Sequence, residues 1–214
     1  MARRINVCAL VDWKSQAHNA NALTGINISN AQHILQKTAN AITGCLTSQD
    51  ISAKFSVSLR LYHGWMKGWE TQPIRKHLTT VVAGLDFSTL SPSSNIVFLQ
   101  GLAYGDTLLD ACERRLIGHK GVHLGNTLRR TPFTDEFREK MVDTALAADL
   151  LSLARTANGE WLLVVAEDDD HVPPVFVAER WLESSSSRVL LVRKRTSVAQ
   201  FLNLDGLVLE GNWR

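Results

Sequence analysis

The chain has little of what staples a small exported domain together. Its 214 residues contain three cysteines, Cys8, Cys45 and Cys112, widely spaced and set inside apolar segments. That spacing excludes a disulfide framework and a cysteine-based metal knuckle, and it reads as buried thiols of a cytoplasmic protein. No run approaches the roughly 18 apolar residues a bilayer-spanning helix needs, so no membrane partner is expected. Met-Ala-Arg-Arg leads straight into a strand-like segment without a small-residue cleavage site, so no signal peptide is expected. Low-complexity tracts, internal repeats and linkers are also missing. Nor is there an excess of one charge: Lys and Arg number 23 against 21 Asp and Glu, a net charge of +2. So small a surplus does not announce a nucleic-acid binder, although local clustering can still make a basic face. The composition, 45% hydrophobic, suits one domain over residues 1–214 with a core of its own.

What is present centres on Glu160-Trp-Leu-Leu-Val-Val-Ala-Glu-Asp-Asp-Asp-His-Val-Pro-Pro174. An apolar run of strand length ends abruptly in consecutive carboxylates. Such a run reads as a strand buried on both faces of a parallel sheet, opening at its carboxyl end into a loop where ligands bind. Adjacent acids repel one another, and a divalent cation is the simplest counterpart. The bland reading is a solvated acidic turn before a helix started by Pro173 and Pro174.

In chain order, Ile5–Val11 is a strand with Asp12 at its end, and Lys14–Asn30 is a polar loop. Apolar residues at helical spacing mark a helix from Ser29 to about Leu46. Phe55–Tyr62 alternates as a strand, Pro73 starts a helix, and Asn95–Gln100 is a third strand closed by Gly101. Thr107–Leu116 reads as a short amphipathic helix. His119–Arg130 is an irregular basic segment. Thr131 or Thr134 is expected to cap a long helix bearing Val142, Leu146, Leu150 and Leu153, stopped by Asn158-Gly159. After the acidic strand come a helix to Glu183, a strand Arg188–Arg193, a short helix at Ala199–Leu202 and an edge strand Gly206–Glu210. Alternating strands and helices predict a three-layer α/β/α sandwich around a mostly parallel sheet of about five to six strands. In such a sheet Asp12 and Asp168–Asp170 share one rim by topology alone. The long helix adds Asp143 and Asp149, which differ by roughly 120° around an ideal helix and so do not both aim at one point.

Lys140-Met-Val-Asp143, a helix carrying Asp149, and Val-Ala-Glu-Asp168-Asp-Asp170-His-Val-Pro resemble the NYN domains of the PIN-like nuclease superfamily. That family shows Lys-x-Val-Asp, a second helical Asp, and a strand ending in Ser-Gly-Asp-x-Asp-Phe-Val-Pro. Asp12 matches the first family acid, and Arg60-Leu-Tyr-His-Gly-Trp65 resembles the second family strand. The resemblance spans essentially the whole chain. It implies a metal-dependent ribonuclease with Asp12, Asp143, Asp149, Asp168 and Asp170 as catalytic acids. Asp12, Asp149, Asp168 and Asp170 would hold Mg2+ or Mn2+, ions that prefer oxygen ligands. Lys140, Ser15, Arg129, Arg130 and Trp65 are the expected substrate contacts. The expected partner is RNA, single-stranded in preference, with a further protein or a second copy as another.

Three departures stand out. Ser15 replaces the family Asn after the first Asp, Ala166-Glu167 replaces Ser-Gly, and His171 replaces Phe. His171 adjoins the acids and reads as a hydrogen-bonding bystander. Arg60, Lys67, Arg75, Lys76 and Lys120 are further cations that could hold a phosphate backbone, and Trp13 and Trp69 further aromatics for stacking bases. The rival readings are a metal-dependent glycosyltransferase, a response-regulator receiver and, foremost, a non-catalytic RNA- or protein-binding member of the same fold.

Overall fold

Period-two burial sets the architecture. In the first strand, β1 (Arg4–Asp12), Val7, Ala9 and Val11 join one buried cluster while Cys8 and Leu10 join the other. A strand with apolar residues on both faces needs a layer on each side. The computed structural model describes residues 3–21, 28–65, 73–112, 120–132, 137–194 and 208–210.

After β1 come α1 (Trp13–Asn19), α2 (Ile28–Gln49), β2 (Lys54–Tyr62), α3 (Pro73–Gly84), β3 (Ile96–Tyr104), β4 (Thr107–Cys112) and β5 (Lys120–His123). They are followed by β6 (Leu128–Arg130), β7 (Phe137–Glu139), α4 (Val142–Thr156), β8 (Trp161–Val165), α5 (Val172–Leu182), β9 (Arg188–Arg193) and β10 (Val208–Glu210). Six strands form one sheet in the order β10-β9-β8-β1-β2-β3, and every pairing in it is parallel. Residues of α2 and α3 cover one face; α4 and α5 cover the other. β8 is buried throughout, with Trp161, Leu163 and Val165 on the first face and Leu162 and Val164 on the second. The expected three-layer α/β/α sandwich is therefore observed.

Several local expectations are corrected. The polar stretch after Asp12 is not a loop but α1, because the Asp12 carboxylate accepts from the N–H groups of Lys14 and Ser15 and caps the helix. Thr107–Leu116 does not begin as a helix: β4 pairs antiparallel with β5, and Leu109 N–H donates to the buried Asp149 at 2.8 Å. That tertiary bond outweighs the weak helical spacing of a short segment. The long helix starts neither at Thr131 nor at Thr134 but at Val142, after an antiparallel β6–β7 hairpin. Met141, in the left-handed region at φ 65, turns the chain into it. Thr134, Lys67, Trp69, Arg114, Arg115 and the expected helix at 199–202 lie outside the described residues.

Candidate metal centre at the switch point of the sheet

The strand order reverses between β8 and β1, so the crevice beyond their carboxyl ends is where such a sheet accepts a ligand. Val11 is in register with Val165, which puts Asp12 and the Ala166–Asp168 turn side by side on that rim. A cleft of about 330 Å³ opens there. Five acids line it, Asp12, Glu139, Asp143, Glu167 and Asp168, together with Lys14, Ser15 and His18.

The first turn of α1 fixes Asp12, which is only 6% exposed. Its carboxylate accepts from Lys14 N at 3.1 Å, from Ser15 N at 3.3 Å and from the Ser15 hydroxyl. Ser15 Oγ also accepts from Glu167 N–H at 3.2 Å, and Gln16 Nε2 donates to Val165 O at 3.1 Å. Ser15 thus ties the end of β1 to the end of β8. Burial pushes the Asp12 carboxyl up from its ordinary value, opposed by the Ser15 hydrogen bond and reinforced by the charge of Asp143. Glu139 is raised for the same first reason, burial, against the pull of a 2.6 Å hydrogen bond from Gly64 N–H.

His171 completes the centre. It is 0% exposed, and neither ring nitrogen has a hydrogen-bond partner among the described residues. Its Nε2 stands 3.7 Å from Asp143 Oδ1, and one ligand atom from each of Asp12, Asp143 and His171 lies within 4.8 Å of the others. An orphaned buried nitrogen facing two carboxylates fits a cation held among the three.

The expected site residues therefore divide. Asp12, Asp143 and Asp168 meet at the cleft, and Ser15 orients Asp12. Asp168 is exposed and caps the turn that follows it, accepting from Asp170 N–H at 3.0 Å. Asp170 is exposed and does not line the cleft, because the turn carries it past the rim. Asp169 pairs with Arg193 at 2.6 Å. Asp149, an expected metal ligand, is engaged elsewhere. It is buried between β2 and β4, where it pairs with Arg60 at 3.0 Å and accepts from Tyr62 OH and Leu109 N, both at 2.8 Å. Arg60 is consequently no phosphate contact; its guanidinium is spent on Asp149 and the Thr107 carbonyl.

Trp65 is not a free stacking platform. Its Nε1 donates to Leu124 O at 2.8 Å, and the Arg75 guanidinium lies 5.5 Å from its ring centre. Arg75 itself stacks on Tyr104 at 3.6 Å and pairs with Asp106 at 3.2 Å. Trp13, the other described candidate for stacking, is buried in the core. Lys140, Arg129 and Arg130 stay exposed, the arginines on β6 and the lysine just after β7. Arg129 sits directly opposite Arg138 in that hairpin, a like-charge pair.

Sequence reasoning missed Glu139 and undervalued His171 and Glu167. The position of Glu139, four residues before Asp143, was legible; the hairpin that aims it at the cleft was not. Comparison with family models, with curated proteins and with solved structures finds no match for this chain.

Proposed function

We propose that the protein is a metal-dependent nuclease that hydrolyses phosphodiester bonds of RNA, single-stranded in preference. The observation that carries this reading is the convergence of ligand atoms from Asp12, Asp143 and the buried His171, whose ring nitrogens have no hydrogen-bond partner among the described residues, beside an acidic cleft at the switch point. A divalent cation held there would act as a Lewis acid on a phosphoryl oxygen and lower the pKa of a water it binds.

The protein's own groups fill the remaining roles. Ser15 and the start of α1 fix the direction of the Asp12 carboxylate. Glu139, whose carboxyl burial pushes above its ordinary value against the hydrogen bond from Gly64 N–H, is the acid at the cleft best placed to exchange a proton with a bound water. Asp168, exposed at the cleft, is the outermost acid available for a further cation or an ordered water. Lys14, which lines the cleft, supplies positive charge for a phosphate backbone that must approach a negative site. Among the described residues no helix is long and apolar enough to cross a membrane.

The test is cleavage of labelled single-stranded RNA and DNA by the wild type, Asp12→Asn and Asp143→Asn, with Mn2+, Mg2+ or a chelator. Metal-dependent cutting of RNA by the wild type, lost in both variants, is the expected result. RNA binding with no cleavage under any metal would replace the nuclease by a non-catalytic binding module, and neither binding nor cleavage would sink both.

A further inference from the structure

We infer that His171 is a nitrogen ligand of the cation, so that the centre selects a first-row transition metal over Mg2+; this rests on reading the cleft as a metal site. A buried polar atom left without a partner loses about 1–3 kcal/mol of hydration. His171 carries two such atoms in a position that is 0% exposed. Val172 and Val175, just after it in the chain, belong to the buried apolar cluster on this face of the sheet, and an apolar side chain at position 171 would carry no such unpaired atoms. What the imidazole has that a phenyl ring lacks is a lone pair, and Nε2 is the atom nearest the carboxylates, 3.7 Å from Asp143 Oδ1.

That distance is too long for a hydrogen bond yet short enough for both atoms to reach one ion. Asp12 Oδ completes the set on the same side, within 4.8 Å of the other two ligand atoms. The 3-10 turn Asp169–His171, capped by Asp168 and continued by α5 with its prolines in the first turn, holds the imidazole from the backbone side.

Ligand type then selects the metal. Mg2+ takes oxygen ligands and keeps its waters, whereas imidazole nitrogen favours later first-row ions in the order Mn2+, Fe2+, Co2+. One nitrogen with two carboxylates, leaving coordination positions open to water, is a set for Mn2+, Fe2+ or Co2+. The added preference comes from the residue at position 171, since its nitrogen strengthens binding of the later ions while the two carboxylates hold Mg2+ with or without it.

Titration calorimetry with Mg2+, Mn2+ and Co2+ on the wild type and His171→Phe tests this without reference to activity. The wild type is expected to bind Co2+ most tightly and Mg2+ least. His171→Phe should lose at least the ~10–100-fold in Co2+ and Mn2+ affinity typical of weaker, outer-shell disruptions, with Mg2+ binding changed less than about 2-fold. Electron spin-echo modulation of the Mn2+-loaded wild type supplies a readout independent of any variant: modulation from a directly bound imidazole nitrogen supports the assignment. Its absence, or an unchanged ratio of Co2+ to Mg2+ affinity in a folded His171→Phe, overturns it. The two proposals separate cleanly. Nitrogen-ligated metal without RNA cleavage leaves the ligand in place and removes the nuclease; Mg2+-driven cleavage indifferent to residue 171 does the reverse.

Discussion

Two buried carboxylates, Asp12 and Asp149, stand near the same rim of the sheet, and their surroundings differ in kind. Asp149, 1% exposed, meets a guanidinium, a phenol and a backbone N–H. The Tyr62 hydroxyl in that group is driven well above its ordinary pKa, by burial first and then by the Asp149 charge, so it stays a donor. Gly105 passes so close to the Tyr62 ring that an added Cβ would lie 2.1 Å from it, which locks the β3–β4 turn onto this network. Asp12 meets hydrogen bonds from its own helix, then the acids Asp143 and Glu139 and an imidazole that has no hydrogen-bond partner among the described residues. One site has its charges closed by the protein; the other leaves them open. A closed buried pair holds elements together, and an open one needs a ligand.

The largest effect should come from breaking the closed site. Asp149→Ala strands Arg60 in the interior and orphans Leu109 N–H. Removing one partner of a buried pair costs about 3–5 kcal/mol, a fall in Tm on the order of 10 °C. Thermal melts check this, and calorimetry on the folded variant should find Co2+ binding retained. A variant that melts like the wild type yet binds no metal would return Asp149 to the metal centre.

His63 lies in sequence between the two sites, after Tyr62 and before Gly64. It is held neutral by burial, with its pKa pushed down to about 4 from 6.5. Arg75 Nε donates to its Nε2 at 3.4 Å, so Nδ1 is the donor to Gly64 O at 2.7 Å. Between pH 6.5 and 4 the unfolded chain binds this proton and the folded chain does not, so stability is lost as pH falls through that window. The loss is about 2–3 kcal/mol at 1.36 kcal/mol per pH unit. In His63→Gln the fall of Tm across the same window should be visibly shallower. An unchanged slope would mean that His63 is not the group being protonated.

How much of this was readable in advance follows from the range of the interactions involved. Alternation in β1 and the apolar run of β8 are local signals, and the sandwich and the shared rim of Asp12 and Asp168 follow from them. Asp143 could be placed near that rim because it stands within one turn of where its helix begins, next to a recognisable motif. Asp149 could not be separated from it by sequence, since what withdraws it is Arg60, 89 residues away, together with a β4 that looks helical on its own. His171 was legible as a departure from the resembling family but not as a buried one. Its role depends on α5 folding back over the sheet, which no spacing reveals.

The smallest expected effect bears most directly on the contrast. Asp12→Asn keeps an acceptor for Lys14 and Ser15, and Asn caps helices as well as Asp does. It removes a charge whose protonated form the folded state favours, because burial raises the Asp12 carboxyl above its unfolded value. A raised acid pKa means that native stability is recovered as pH falls through that value and reduced above it. In chelator at neutral pH, Asp12→Asn should therefore melt above the wild type by about 2–4 °C, corresponding to ~1 kcal/mol. The gap should close on acidification, as the wild-type carboxyl takes up its proton. Added Co2+ should invert the order: the wild type gains about 2.7 kcal/mol at a hundredfold excess over Kd, and the variant gains little. A variant less stable than the wild type in chelator would make Asp12 a structural acid like Asp149, and the contrast between the two sites would fail.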